Sequence, residues 1–185
     1  LGTESSRNSD PSTWASKAYS LRNAAGIFAG LGREEMRLWS EYYAAHLVLH
    51  RLEDPLMAIE MVGAVQRDAE RAGFAQLELV ARMLEASAAL RLAVSSGERS
   101  APLYYERAHQ VLGQVAALAE RQAFAAEHGR AQFENGGCHS MQGDLARSLE
   151  RYQKAMEIAH GAGFTDGLIQ DAAKAATSHV AMGRT

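Results

Sequence analysis

His46 and His50 are four residues apart, and two histidines at this spacing suggest a metal-binding site. On a helix, this spacing places both imidazoles on one face, where they could hold a metal ion together. Glu41 lies five residues before His46 and therefore falls off that face, and no third ligand is evident in the sequence. We favour a structural role for the pair, and we expect neither a metal nor another cofactor.

Cys138 and His139 are the second candidates, because a cysteine beside a histidine, with His128 nearby, suggests a nucleophile or a metal site. A reactive thiol needs an accessible and electropositive setting. In the repeat register given below, Cys138 instead aligns with Val48 and Ala88, which form a stripe of small residues. This stripe predicts that Cys138 packs between helices.

A glycine pair, Gly136-Gly137, raises the further question of a phosphate-binding loop. No strand precedes the pair and no Gly-Lys-Ser/Thr sequence follows it, so its context excludes such a loop and favours close helix contact. The order of serine, histidine and aspartate residues defines no triad, and no two carboxylates form a recognisable pair. We therefore expect that this chain is not an enzyme.

The elements that must position these residues are visible in three segments that end alike, at Phe74, Phe124 and Phe164. The phenylalanines are 50 and then 40 residues apart. Repeats of this length are typical of stacked helical hairpins. Aligning the phenylalanines brings four more positions into register, which are Ala58, Ala108 and Ser148; Val62, Leu112 and Tyr152; Val65, Val115 and Ala155; and Ala69, Ala119 and Ala159.

Composition narrows the class of protein and of partner. The chain has 185 residues, a net charge of −3, three prolines and no alternating run of β-branched residues, so we expect an all-α domain without a surface for nucleic acid. No apolar run is long enough for membrane insertion. The single Cys138 excludes an internal disulfide and fits either redox compartment, which leaves cytoplasm and periplasm both open, with a slight preference for the cytoplasm.

Capping residues, prolines and glycines predict eight helices. Their expected ranges are 11–30, 34–52, 55–72, 75–94, 102–122, 125–142, 145–160 and 167–183. Residues 1–10 are polar and are expected to form a tail or linker, whereas 11–185 form a single helical repeat domain. Because the last predicted helix lacks a partner, we expect this domain to be part of a longer protein.

One segment, 125–164, resembles a tetratricopeptide repeat. Gly136 resembles the glycine within the first helix of that repeat, and Gly143 resembles its turn. Ser148 and Ala155 resemble the two small residues of the second helix, and Tyr152 its aromatic residue. The 40-residue period and the Ala-Gly-Phe ending are similar to a longer subclass found in bacterial transcription activators and signalling proteins. The resemblance extends, more weakly, over 34–185.

Three residues of 125–164 depart from the tetratricopeptide pattern, and in the preceding unit Ala86 replaces the glycine. Gln132, Asn135 and His139 stand where the family prefers bulky apolar side chains. The resemblance still implies a right-handed α-α superhelix, which is a solenoid of antiparallel helix hairpins. It also implies that the first helix of each hairpin lines a concave groove. The positions expected in that groove are Tyr43, Leu47, His50, Arg51, Val80, Met83, Ser87, Arg91, Arg130, Phe133, Ser140, Met141, Gln170 and Thr177.

This expected lining predicts a binding function, because aromatic residues, methionine and arginine are enriched at protein interfaces. We expect a scaffold that binds a peptide segment or a neighbouring domain of a bacterial signalling or regulatory protein. The alternative is a ligand-sensing input domain, which the resemblance implies for regulators of the transcription-activator or diguanylate cyclase type. For Arg51 and Arg91, a position at helix ends facing solvent is the competing interpretation. A further prediction is self-association through the ends of the solenoid.

Overall fold

The computed structural model describes residues 10–163, and seven α-helices occupy most of that range. They are α1 (Pro11–Gly30), α2 (Glu34–Arg51), α3 (Pro55–Ala72), α4 (Ala75–Ser95), α5 (Ala101–Arg121), α6 (Ala125–Met141) and α7 (Leu145–Gly161). The described range contains no strand, so the all-α prediction is confirmed. The ends of these seven helices lie within one residue of the predicted ends. The eighth predicted helix, over 167–183, lies outside the described residues.

Local signals explain where several helices begin. Asp54 accepts a hydrogen bond from the backbone N–H of Met57 at 2.9 Å, and Pro55 occupies the first helical position of α3. Asp10 caps α1 in a similar way by accepting a hydrogen bond from the backbone N–H of Ser12 at 3.1 Å. Such caps satisfy backbone donors that have no partner inside the helix.

The helices pack in the manner of a solenoid. Each helix packs against the next one in the chain, and α2 also packs against α4, as does α4 against α6. Within residues 10–163, no other pair of helices is in contact. Short connections between neighbouring helices make each pair an antiparallel hairpin. The helices α2, α4 and α6 therefore form one layer of the solenoid. No helix in the described range is both long and apolar enough to cross a bilayer.

The repeat register is visible in the core. All twelve residues aligned at the four shared positions are buried, and Tyr152, at 5% exposure, is the least buried of them. Phe74 and Phe124 begin α4 and α6 with nearly the same backbone angles, φ −85° and ψ 72° against φ −86° and ψ 77°. Their backbone N–H groups donate to the carbonyls of Ala69 and Ala119, both at 2.9 Å. Phe164 lies outside the described residues.

The helix α4 lies at the centre of the described solenoid. One apolar cluster extends from α1 to α4, and it includes Leu38, Val62 and Leu77. A second cluster joins α4 to α5 and α6 through Leu79 and Leu112. Since α4 contacts helices on several sides, buried residues surround it rather than forming a single stripe.

Candidate functional site

A cavity of about 450 Å³ opens between α2, α4 and α6, the three helices of one layer. We call it the inner groove. Its volume falls within the range of sites that bind small ligands or single large side chains. The residues that line it are Tyr42, His46, His50, Val80, Met83, Leu84, Ser87, Ala126, Glu127, Arg130 and Glu134.

The floor of the inner groove is apolar and is provided by α4. Met83 and Leu84 are only 7% and 4% exposed, and Val80 is half-buried beside them. Tyr42 on α2 adds an aromatic wall, and burial raises the pKa of its hydroxyl, so Tyr42 stays neutral. A floor of this kind gains free energy by covering an apolar side chain of a partner.

Two imidazoles on α2 form another wall of the groove. The rings of His46 and His50 are 4.3 Å apart between centroids. Arg91 donates a hydrogen bond to Nδ1 of His50 at 3.0 Å, since a guanidinium has no acceptor. Burial, followed by the charges of His46, Arg91, Arg51 and Arg130, lowers the pKa of His50 to about 4. Burial also lowers the pKa of His46, so both rings are neutral near pH 7.

The charged residues of the inner groove lie on α6. The Arg130 side chain is 66% exposed, and its Nε lies 3.9 Å from Oε1 of Glu134. Burial raises the pKa of Glu134, an effect that the charge of Arg130 opposes. Because the contact is long and Arg130 is exposed, its guanidinium can turn towards a carboxylate on a partner. Glu127 is the second acidic residue of the lining.

Five of the fourteen sequence-predicted groove residues line this cavity, namely His50, Val80, Met83, Ser87 and Arg130. Tyr43 instead stacks on Trp39 with ring centroids 5.7 Å apart and is 51% exposed. Leu47 packs against the first apolar cluster.

The two arginines at the helix ends, Arg51 and Arg91, do not line the inner groove. Arg91 donates a hydrogen bond to the carbonyl of Leu49 at 2.9 Å, and so satisfies an acceptor in the last turn of α2. The guanidinium of Arg51 lies over the ring of Trp14, 4.8 Å from its centroid. Both side chains therefore have structural partners within the protein.

The remaining predicted groove residues lie elsewhere. Phe133 faces Tyr152 of α7 at 5.2 Å between ring centroids. Met141 lines a separate cleft together with Leu90 and Arg91, and Ser140 is half-buried outside the inner groove. Gln170 and Thr177 lie outside the described residues.

The groove lining predicted from the sequence omits Tyr42, His46, Glu127 and Glu134, although the sequence makes His46 a candidate metal ligand. The first two could have been found, because Tyr42, His46 and His50 are spaced by four residues and form a single stripe on α2. The tetratricopeptide pattern instead placed Tyr43 and Leu47 in the groove, each one residue after Tyr42 and His46. On a helix, one residue turns the side chain by about 100°, which is enough to move it off a groove.

Cys138 is fully buried, beside Ala89 and Ala108, as its place on the small-residue stripe predicted. Its Sγ lies 3.3 Å from Nε2 of His109, not beside His128, and Nδ1 of His109 lies 2.6 Å from Oδ1 of Asn135. A cysteine, a histidine and an amide in this order resemble a thiol nucleophile with its base. Burial raises the pKa of Cys138 to about 12, however, so the thiolate that such chemistry requires does not form.

The inner groove combines features that can contact a partner. The inner groove offers an apolar floor, neutral rings that form hydrogen bonds, and charged side chains on α6. Within residues 10–163, no group of three or more His, Cys, Asp or Glu side chains is arranged to hold a metal ion. Comparison with protein-family models and with curated proteins finds no match to this chain.

Proposed function

We propose that this chain is a protein-interaction domain, a tetratricopeptide-like α-solenoid whose inner groove binds a peptide segment or a neighbouring domain of a signalling or regulatory protein. The repeat register of the core supports the tetratricopeptide-like part of this proposal. The groove supports the binding part, since three successive helices of one layer contribute to it.

The observation that carries the proposal is the pairing of an apolar floor with an exposed arginine. Val80, Met83 and Leu84 can cover an aliphatic or aromatic side chain of a partner. Arg130 lies in the same lining and can form a two-pronged contact with a partner carboxylate. A large apolar anchor with a carboxylate nearby is therefore the chemistry that we expect in the bound segment.

A row of aromatic rings on α2 extends this surface beyond the cavity. Trp39 and Tyr43 stack, Tyr42 meets Tyr43 edge to face at 5.3 Å, and Tyr42 continues to His46 at 6.2 Å between centroids. Aromatic side chains present large rigid contact areas at a small cost in conformational entropy. The row favours an extended chain as the occupant, because one small molecule would not reach from Trp39 to His50.

The test is selection of binding peptides from a random display library, followed by affinity measurement with variants of the groove. Val80→Glu places a charge on the apolar floor and should weaken the selected peptides at least tenfold. Val94→Glu is the matched control, because Val94 lies on the same helix, outside the inner groove, and is 66% exposed. Thermal unfolding of both variants separates lost binding from lost folding.

Arg130→Ala is a second test that should leave the packing of the core unchanged, since this side chain is largely exposed. It should weaken peptides that carry a carboxylate beside their anchor, whereas Arg121→Ala, at an exposed position on α5, should leave them unchanged. If Val80→Glu and Arg130→Ala both bind the selected peptides as tightly as the parent chain, the inner groove is not the binding surface.

A ligand-sensing input domain is the second candidate, because about 450 Å³ also suits a small molecule. A thermal-shift screen with small anions and sugars tests it. A compound that raises the melting temperature of the parent chain but not of Val80→Glu would favour this candidate over peptide binding.

A further inference from the structure

A second cavity, of about 540 Å³, lies on α5, α6 and α7 and is built largely from polar side chains. We call it the polar cleft. Its lining includes Gln132, Asn135 and His139 of α6, the three residues of 125–164 that depart from the tetratricopeptide pattern, together with His109 of α5. Gln132 and Asn135 are each only 8% exposed. Buried amides need hydrogen-bond partners. Here Oδ1 of Asn135 lies 2.6 Å from Nδ1 of His109, and Oε1 of Gln132 accepts a hydrogen bond from Arg151 at 3.2 Å.

The preceding repeat has a carboxylate at the position of Asn135, whereas α2 has Ala45 there. Asn135 lies 50 residues after Glu85, which is the spacing of α4 and α6 in the repeat register. Glu85 is 5% exposed. Its carboxylate accepts hydrogen bonds from Nε of Arg107 on α5 and from the amide of Gln66 on α3, both at 2.8 Å. In that interface, a buried carboxylate neutralises an arginine of the following helix.

In the interface between α6 and α7, no carboxylate stands at the position of Glu85, but an arginine still stands at the position of Arg107. Arg147 lies 40 residues after Arg107, which is the spacing of α5 and α7 in the repeat register. Asn135 stands in place of Glu85 and is neutral. The described lining of the polar cleft contains two arginines, Arg147 and Arg151, and two imidazoles, His109 and His139, but no carboxylate.

The hydrogen bonds of the arginines leave donors available. Arg151 donates from Nη1 to Oε1 of Gln132 at 3.2 Å, whereas its Nε–H is buried without a partner. The Arg147 side chain is 70% exposed, and its Nη1 lies 3.4 Å from Oδ2 of Asp144. Asp144 is also 4.0 Å from Nδ1 of His139 and lies outside the cleft lining. A buried Nε–H without a protein acceptor is unusual in a folded protein, and an ordered water or a bound group can supply that acceptor.

We propose that the polar cleft binds an oxyanion, the carboxylate or phosphate group of a small molecule, which supplies the negative charge that Glu85 supplies in the preceding repeat. Guanidinium groups match the geometry of both anions through paired N–H donors. Arg151 and Arg147 provide these donors, and the imidazole of His139 can provide a further N–H group. Both ring nitrogens of His109 already lie within hydrogen-bond distance of Asn135 and Gln142. The cleft is large enough for an organic molecule that carries the anion.

The experiment is a titration of the ¹⁵N-labelled chain with inorganic phosphate, acetate or succinate, at an ionic strength held constant with chloride. The Nε–H resonance of Arg151 should shift and saturate at millimolar concentrations of at least one oxyanion. The phosphate arm and the two carboxylate arms show which anion is preferred. Chloride alone should leave the resonance in place, because screening acts on all exposed charges alike.

Two variants and one control complete the test. Asn135→Asp introduces a carboxylate at nearly the same size and should lower the affinity at least tenfold, since its charge would neutralise the arginines that bind the anion. Arg147→Gln, at a largely exposed position, should lower the affinity as well. Arg121→Gln, in the neighbouring cleft that also contains Glu70 and Glu78, should not change it.

The absence of a saturable shift at Arg151 with every anion would overturn the proposal. An equal loss of affinity in Arg121→Gln would do the same, because binding would then reflect overall charge. If Asn135→Asp fails to fold, Arg147→Gln decides alone, and unchanged affinity in that variant contradicts the assignment.

Discussion

The ring of Tyr152 in α7 lies against the backbone of Gly136 in α6. A Cβ atom at position 136 would come within 2.7 Å of ring carbons Cδ1 and Cε1 of Tyr152, and within 3.2 Å of the Ser148 carbonyl oxygen. Real Cβ atoms do not approach ring carbons so closely, so only glycine allows this contact. The small residue and the aromatic residue of the repeat pattern are thus two parts of one helix-helix contact.

Gly136→Ala should therefore destabilise the chain by about 1–3 kcal/mol, because the ring or the helix must shift to admit the methyl group. Gly137→Ala is the control, since its Cβ would meet nothing closer than the Tyr152 hydroxyl at 3.7 Å. That substitution should stabilise α6 by up to about 1 kcal/mol, the helix-propensity gain of alanine over glycine. Urea unfolding of both variants provides the measurement, and equal effects would contradict the contact.

Ala123 has a left-handed backbone conformation, φ 57°, at the connection where the preceding repeat has Gly73 with φ 74°. A residue with a Cβ atom loses about 1 kcal/mol in this conformation, whereas glycine does not. Ala123→Gly should therefore stabilise the chain by about 0.5–1 kcal/mol. Ala117→Gly, at an exposed position inside α5, should destabilise it by about 1 kcal/mol, because glycine is unfavourable within a helix. Chemical denaturation distinguishes the two signs directly.

Glu85 and Arg107 form an ion pair that is buried on one side only, since Glu85 is 6% exposed in its side chain and Arg107 is 51% exposed. Removing each partner should therefore have unequal effects. Arg107→Met leaves a buried carboxylate with Gln66 alone and should cost about 2–3 kcal/mol of unfolding free energy. Glu85→Gln keeps the acceptor for Gln66 and leaves Arg107 able to reach water, so it should cost about 1 kcal/mol. Equal losses in equilibrium unfolding would refute this asymmetry.

Cys138 should be inert in the folded chain. Burial raises the pKa of its thiol to about 12 and keeps it from solvent. Alkylation by iodoacetamide should therefore be at least roughly 100-fold slower in the native protein than in guanidinium chloride, because the reaction requires opening of the interface. The measurement is mass spectrometry over time. Rapid alkylation of the native chain would instead indicate an accessible thiolate.

The free energy of unfolding should decrease as the pH is lowered, because the pKa of His50 differs between the folded and the unfolded chain. The pKa of His50 is about 4 in the folded chain, below the ordinary value of 6.5. The unfolded chain therefore binds more protons between these values, and the free energy of unfolding decreases as the pH falls from 6.5 towards 4. His50→Gln should reduce this decrease, since glutamine can still accept the Arg91 hydrogen bond but does not titrate. His160→Gln, at an exposed position, is the control. An unchanged pH profile in His50→Gln would contradict the prediction.

The sequence by itself determined the helices and their stacking. Proline and aspartate at helix starts are local signals, because a cap acts within a few residues of its own position. The repeat of small and apolar residues, such as Ala58, Ala108 and Ser148, likewise reports a packing requirement shared by every unit. Such features recur along the chain and could be recognised without a structure.

Only the tertiary structure decided which side chains meet. The inner groove depends on the rotation of α2, which places Tyr42 rather than Tyr43 in the lining, and one residue changes the outcome because side chains follow the helical turn. His109 and Cys138 come from different helices and meet across 29 residues, without a sequence pattern that links them. The difference between Glu85 and Asn135 can be interpreted only from their contacts, since Glu85 lies beside Arg107 and Asn135 lies beside His109. Contacts between helices depend on three-dimensional packing, which local sequence does not encode residue by residue.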